Sequence, residues 1–322
     1  MADVDLGELR RRLAAAPAGA VTDVTPLGGG ASSLTFAGTR DKHAVVIKVA
    51  PPGVEPVAHR DVLRQARIIK ALGKSRVPVP SVLWEDQGDP PDSPPLFVMS
   101  RVDGDCEEPL FDGGTMDSDL AERYRNACRV MAALHSLSPR DLGMGGEPVV
   151  DPVAEVQRWC QTLQTVDPAL VPDWPSVRDA LLSCAPTAMG PCVVHGDFRL
   201  GNLIAVGDRI NAVIDWEIWS IGDPRIDAGW FLINADPDTY RRVPASAGLA
   251  PSAVELAQIY RAEMGCGVAD LAWFGALACF KSAATWSLIV KHNRRRRVPR
   301  AELEAMAYTL PRLLARARSL LG

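Results

Sequence analysis

The sequence predicts an α+β chain of two lobes, a small β-rich one over residues 1–102 and a larger helical one over residues 103–322. Three observations predict it. Short β-rich runs punctuated by Gly, Asp and Lys fill the first hundred residues. Helical spacing takes over beyond Gly104. One island of short apolar runs, Cys192–Ile214, interrupts the helices. In order, Val21–Leu27, Leu34–Ala37 and Ala44–Val49 read as strands. His59–Leu72 reads as a helix, with apolar residues at Val62, Ala66, Ile69 and Leu72, and the proline-rich stretch Val77–Pro80 ends it. Ser81–Glu85 and Leu96–Arg101 are two more strands around the loop Asp86–Pro95, and a short connector follows near Val102–Gly104. Helical periodicity then marks Asp119–Ser136, Val153–Thr165, Pro175–Cys184, Ser252–Met264, Ala269–Lys291 and Arg300–Leu321. No internal repeat is visible.

Composition excludes several classes of function. A chain of 322 residues, 47% hydrophobic, can fill a large core. A net charge of −4 argues against nucleic acid as the partner. The 7 cysteines form no CxxC pair and read as reduced thiols, mostly core filler. Met1–Leu9 is acidic and has no apolar core of the kind a signal peptide needs. Leu271–Val290 is nearly long enough to span a bilayer, but Lys281 sits in its middle, so a buried helix is expected. The expected setting is cytoplasmic, with no membrane partner.

The chemistry concentrates at His195-Gly196-Asp197-Phe198-Arg199-Leu200-Gly201-Asn202, between the apolar runs Cys192–Val194 and Leu203–Val206. A loop held by flanking strands can aim Asp197 and Asn202 at one point. Phosphoryl transfer uses such a pair: a carboxylate to take or orient a hydroxyl proton, and an amide oxygen for Mg²⁺. A polar loop whose Asp and Asn cap turns is the plainer alternative. Asp215 ends the apolar run Val213-Ile214, where a second metal-holding carboxylate fits, and Glu217 is a weaker candidate nearby. Upstream, the glycine-rich turn Leu27–Ser33 lets backbone N–H groups approach phosphates closely. Lys48 stands alone in the apolar run Val45–Val49, and a buried ammonium needs an anionic partner.

Turn, strand lysine, H-x-D-x4-N and strand-end Asp occur in one order. On these residues, with Val77–Val82, Phe97–Gly104 and Ile214–Phe231, the chain resembles the aminoglycoside phosphotransferase and choline kinase group, the phosphotransferase enzyme family, from Leu27 to about Arg295. The resemblance implies a protein-kinase-like bilobal fold and transfer of the γ-phosphate of ATP, or of GTP, to a hydroxyl of a small molecule. It implies Asp197 as base, with Arg199 two residues on where protein kinases place a phosphate-contacting lysine. It implies Mg²⁺ on Asn202 and Asp215, and Lys48 on the α- and β-phosphates. Gly29, Gly30, Ser32 and Ser33 would form the phosphate loop, and Met99, Arg101 and Val102 the connector that reads adenine. Asp227 would brace the catalytic loop. A protein kinase is disfavoured, because nothing between Asp215 and Pro224 has room for an activation loop.

One position departs from the family. The glutamate that pairs with the strand lysine is replaced by Gln65, with Glu55 and Asp61 as nearby acids. This keeps a second class open, a nucleotide-binding module without transfer. The basic run Lys291–Arg297, with Arg300, is either a solvated helix end or an attractor for an anionic, for instance CoA-linked, acceptor. The motif variants around Phe198–Leu200 and Val77–Pro80 resemble the branch found beside acyl-CoA dehydrogenases. Of Trp216, Trp219, Trp230, Trp273 and Trp286, most should be core, and one or two could wall the acceptor pocket.

Overall fold

A computed structural model describes residues 4–17, 19–28, 33–109, 119–240, 249–265 and 267–322. The chain divides into two units, Met1–Cys106 with Asn202–Trp219, and Glu107–Gly201 with Ser220–Gly322.

The first unit opens with α1 (Leu6–Ala14), a helix the sequence reading passed over. Its signal is short: the Asp5 carboxylate accepts from the backbone N–H groups of Gly7 and Glu8, and Leu9 and Leu13, one turn apart, are the residues it buries. The strands β1 (Thr22–Pro26), β2 (Leu34–Arg40), β3 (His43–Val49), β4 (Val82–Asp86) and β5 (Leu96–Ser100) pair antiparallel in the order β1-β2-β3-β5-β4. Alternation along β3 sends Val45, Ile47 and Val49 into a core with Leu9, Leu13, Phe36, Leu96 and Val98. Val46 and Lys48 therefore project from the other face. Before β4 comes α2 (Val62–Leu72), started by Asp61, whose side chain accepts from the Arg64 N–H.

The connector is tied down by backbone. The Arg101 N–H donates to Ala44 O at 3.1 Å, and Asp105 exchanges backbone hydrogen bonds with Ala205 at 2.9 and 3.0 Å. Gly104 has a φ of 126°, and a side chain there would collide with the Ala205 carbonyl.

The second unit contributes α3 (Leu120–His135), β6 (Val149–Val150), α4 (Pro152–Leu163), α5 (Trp174–Ser183) and β7 (Cys192–Val194). The chain then returns to the first unit for the hairpin β8 (Leu203–Val206) and β9 (Arg209–Val213), where the Val213 N–H donates to Pro78 O at 2.8 Å. Next, β10 (Ser220–Gly222) lies between β6 and β7 in a small sheet. There follow α6 (Arg225–Ala235), α7 (Pro237–Tyr240), α8 (Ala253–Met264), α9 (Leu271–Arg294), α10 (Ala301–Glu304) and α11 (Leu310–Leu321). The sequence suggested one helix over Arg300–Leu321. It is broken instead by a 3-10 turn over Ala305–Thr309, and Pro311 sits in the first turn of the helix that restarts.

By length and composition α9 could cross a membrane, but most of it is buried in the second unit's core. Phe274, Leu277, Phe280 and Ala284 pack there with Val156, Trp159, Ile233, Leu313 and Leu314. Helix α6 approaches α9 so closely that a Cβ on Gly229 would strike the backbone of Phe274. Gly229→Ala should therefore destabilise the protein by about 2 kcal/mol, read as a lower urea midpoint than that of the parent chain.

Candidate active site

In the first unit, Lys48 has two hydrogen-bond partners among the described residues. Its Nζ donates to Asp215 Oδ1 at 3.2 Å and to Ser33 Oγ at 3.3 Å. The question the sequence left around Gln65 is answered by this geometry. Asp61 is used as the cap of α2, and Gln65 is buried with its Nε2 lacking a hydrogen-bond partner among the described residues. The lysine is thus held by a carboxylate from the far end of β9 rather than by one from α2.

The hairpin explains how Asn202 and Asp215 meet. Leu203 pairs with Val213, and the Ile214 N–H donates to Asn202 O at 3.0 Å, so the residues flanking β8 and β9 emerge side by side. Asn202 is buried, whereas the Asp215 side chain keeps 31% exposure. Asp215 also has a φ of 66°, a left-handed conformation that a non-glycine residue adopts at a cost. One 3-10 turn further on, Trp219 is clamped to α2. The Arg64 guanidinium lies 3.8 Å from the Trp219 ring centroid and donates to Trp219 O, while the Trp219 indole donates to Arg64 O.

Of the connector residues, Met99 is buried on β5 opposite Val46, and Arg101 is exposed. Arg101 lines a hollow of about 540 Å³ with Arg40, His43, Ser81, Ser100 and Asp103. That hollow includes none of Ser33, Lys48, Asn202 or Asp215. Val102 is half-buried. Gly29, Gly30 and Ser32 lie outside the described residues.

In the second unit the loop after β7 hangs on Asp227. This carboxylate, on α6, accepts from the backbone N–H of His195 at 2.6 Å and of Gly196 at 2.8 Å. His135 Nε2 lies 3.2 Å from the same carboxylate, and the other ring nitrogen is 2.7 Å from the Tyr260 hydroxyl. Burial pushes the Asp227 carboxyl up, but the His135 and His195 interactions outweigh it and hold the group below the ordinary carboxylate value. The next residue in the loop, Asp197, offers Oδ1 to the Trp230 indole N–H at 2.7 Å and to Arg199 Nε at 3.3 Å.

Arg199 bridges two carboxylates. Its Nη1 donates to Glu108 Oε2 at 3.3 Å, an oxygen that also accepts from the Gly201 N–H at 3.1 Å. Glu108 is 3% exposed. Burial pushes its carboxyl up to about 7, against the opposing attraction of Arg199. Behind the loop, Lys281 of α9 donates to Gly196 O and stands 4.1 Å from the Trp230 ring centroid.

The sequence-derived residues thus fall into two groups: Ser33, Lys48, Asn202 and Asp215 in the first unit, Asp197 and Arg199 in the second. Glu108, Lys281 and the Arg64–Trp219 clamp were not foreseen. Lys281 had a usable signal, a lone cation in an apolar stretch. Glu108 had none, because nothing local distinguishes it from Glu107. Trp230 was noted only as one of several tryptophans, although its place three residues after Asp227 puts both on one face of α6.

The profile of the phosphotransferase enzyme family matches residues 23–262. The chain belongs to that family. Acyl-CoA dehydrogenase family member 11 of Mus musculus is 29% identical to this phosphotransferase-family chain over 279 residues, 82% of this chain and 36% of the mouse protein. The Rattus norvegicus protein of the same name is 29% identical over 214 residues, 65% and 27% of the respective lengths. The chain thus spans at most about a third of these relatives. A solved structure of a presumed aminoglycoside phosphotransferase from Ralstonia eutropha has a TM-score of 0.77 at 22% identity, covering 98% of this chain and 97% of that one. Macrolide 2'-phosphotransferase MphH from Brachybacterium faecium gives 0.62 at 20%, covering 95% and 98%. A mutant of aminoglycoside phosphotransferase APH(4)-Ia, solved with AMP-PNP and hygromycin B, gives 0.63 at 16%, covering 98% and 97%. The α+β kinase-like bilobal fold expected from the sequence is the fold of this family.

Glu108 gives the site a pH signature. With its folded pKa near 7, above the ordinary 4.5, the folded state binds the proton more tightly than the unfolded chain. Stability therefore falls as pH rises from about 4.5 to about 7, by on the order of 3 kcal/mol if this group acts alone. In Glu108→Gln, urea unfolding followed across that range should lose this component of the slope.

Proposed function

We propose that this chain transfers the γ-phosphate of ATP, or of GTP, to a hydroxyl of a small molecule. Asp197 is the base, and Lys48 holds the α- and β-phosphates. Ser33 belongs to the phosphate loop with Gly29, Gly30 and Ser32, and Met99, Arg101 and Val102 flank the adenine. The observation that carries the reading is the Lys48–Asp215 contact at 3.2 Å, with Asn202 beside it on the hairpin. Three distant stretches converge there on one cation and its acceptors.

The donor chemistry fits Mg²⁺. Asn202 offers an amide oxygen and Asp215 a carboxylate, both hard donors, and Mg²⁺ is commonly held by one or two protein groups with phosphates and water completing the shell. Among the described residues no group of three His, Cys, Asp or Glu side chains stands ready for a metal. A cation that arrives with its nucleotide meets that description. When bound, it neutralises charge on the transferring phosphoryl group. The protein's own part is orientation. Trp230 and Arg199 fix the Asp197 carboxylate, which takes the acceptor's hydroxyl proton, and Arg199 lies within reach of the negative charge that follows.

The acceptor we favour is a hydroxylated small molecule bearing anionic groups, CoA-linked compounds among them. Two observations support it. Relatives carry the name acyl-CoA dehydrogenase family member 11. In the basic run, Arg294 pairs with Glu304 and Arg300 with Glu302, while Arg295, Arg296 and Arg297 are exposed and make no ion pair among the described residues. The second reading, nucleotide binding without transfer, draws only on the uncharged Gln65.

Two experiments test these readings. Asp197→Asn should lower kcat about 1000-fold while Mg²⁺ and ATP still raise its melting temperature. Unchanged turnover removes Asp197 as base, and a parent chain that binds nucleotide but transfers to no acceptor favours the second reading. Replacing Arg295, Arg296 and Arg297 together with Ala should raise KM for a CoA-linked acceptor about 10-fold, as the loss of favourable charge near a binding surface does, and leave KM for nucleotide unchanged. An unaltered acceptor KM ends the anionic-acceptor proposal.

A further inference from the structure

We infer that Lys281 is a positioning residue for the Asp197 loop, its ammonium fixing the backbone that enters Asp197 and the indole that binds the Asp197 carboxylate. The inference rests on the phosphotransferase reading, in which Asp197 is the base.

The geometry is specific. Gly196, just before Asp197, has a φ of 86°, a left-handed conformation that sets the direction of the following peptide. Both of its backbone polar groups are taken by buried charges. Its N–H donates to the Asp227 carboxylate, and its carbonyl accepts from Lys281 Nζ. Gly196 O is the only hydrogen-bond acceptor of Lys281 among the described residues. The rest of the ammonium faces aromatic rings, 4.1 Å from the Trp230 centroid and 5.4 Å from that of Trp159. Trp230 in turn donates its indole N–H to Asp197 Oδ1 at 2.7 Å. One cation therefore touches both restraints on Asp197, the peptide that carries it and the donor that orients its carboxylate.

A purely structural role explains this arrangement poorly. Lys281 is 4% exposed in the middle of a core helix. Burial pulls its pKa below the ordinary lysine value, with Asp197, Glu155 and Asp227 attracting the charge and Arg158 opposing it. For stability alone an ammonium is a costly choice at that position, since burying a charge carries a desolvation penalty that an apolar side chain of the same length does not. What methionine lacks is a donor for Gly196 O and a charge beneath Trp230.

Lys281→Met tests the role with a neutral side chain of similar reach. The expected result is a folded protein with kcat lowered about 10- to 100-fold and KM for nucleotide within about twofold of the parent. In protein labelled with ¹⁵N-tryptophan, the Trp230 indole N–H resonance, identified by its disappearance in Trp230→Phe, should move. Trp230→Phe should lower kcat by a similar factor, and the double variant should lose little more, because the two residues act as one unit. Should Lys281→Met fail to fold, Lys281→Gln serves the same comparisons. A folded variant with parental kcat and an unmoved indole resonance overturns the inference. A chain that performs no phosphoryl transfer at all overturns the functional reading instead. The indole resonance then still decides whether Lys281 acts on Trp230.

Discussion

The Asp227 carboxylate accepts the backbone N–H groups of two consecutive loop residues while fully buried, and the arrangement of the second unit around β7 follows from that constraint. A buried carboxylate is tolerated only with its acceptor sites filled. Two N–H groups and the His135 ring fill them here, and His135 is itself tied to Tyr260 of α8. The loop is thereby bent at Gly196, and Asp197 is delivered beside α6. Trp230, one turn beyond Asp227 on the same helix, is then in place to receive it. Anchor and orienting donor share a single helix, so a shift of α6 would disturb both together.

The first unit solves a different problem, how to hold in register a lysine and a carboxylate 167 residues apart in the chain. The β3 ladder fixes Lys48 between Thr35 and Phe97, and the β8–β9 ladder fixes Asp215. Where the family has a helix glutamate, α2 is attached instead through Arg64 and Trp219, by two side-chain donors to backbone carbonyls and a cation–π contact. Exposed ion pairs contribute about 0–1 kcal/mol and weaken with salt. Most of this clamp is hydrogen bonding to backbone, so it depends less on ionic strength.

Much of this was legible in the sequence, and the reasons are local. Strand periodicity, the helical spacing of Val62, Ala66, Ile69 and Leu72, and the alternation that isolates Lys48 each act over a few residues. The H-x-D-x4-N motif and Asp215 were legible because a fixed spacing meets fixed chemistry. What escaped were contacts made by tertiary approach. Glu108 matters because it is buried beside Arg199 and Gly201, far from it in sequence. Lys281 was read only as an argument against a membrane, because the partner that explains it, Gly196 O, is 85 residues away. Helix α1 was missed because a cap and two leucines barely exceed the background of a short polar segment.

The return of Asn202–Trp219 to the first unit makes that unit discontinuous. Lys48 waits 167 residues for its carboxylate. During synthesis the five-stranded sheet can emerge whole, but the hairpin that supplies Asn202 and Asp215 leaves the ribosome only after about a hundred intervening residues, with a loop-closure cost that grows slowly with their number. A fragment ending at Cys106 would carry the lysine and no acid for it. The contact between Lys48 and Asp215 therefore belongs to the chain's topology and not to an excisable N-terminal piece.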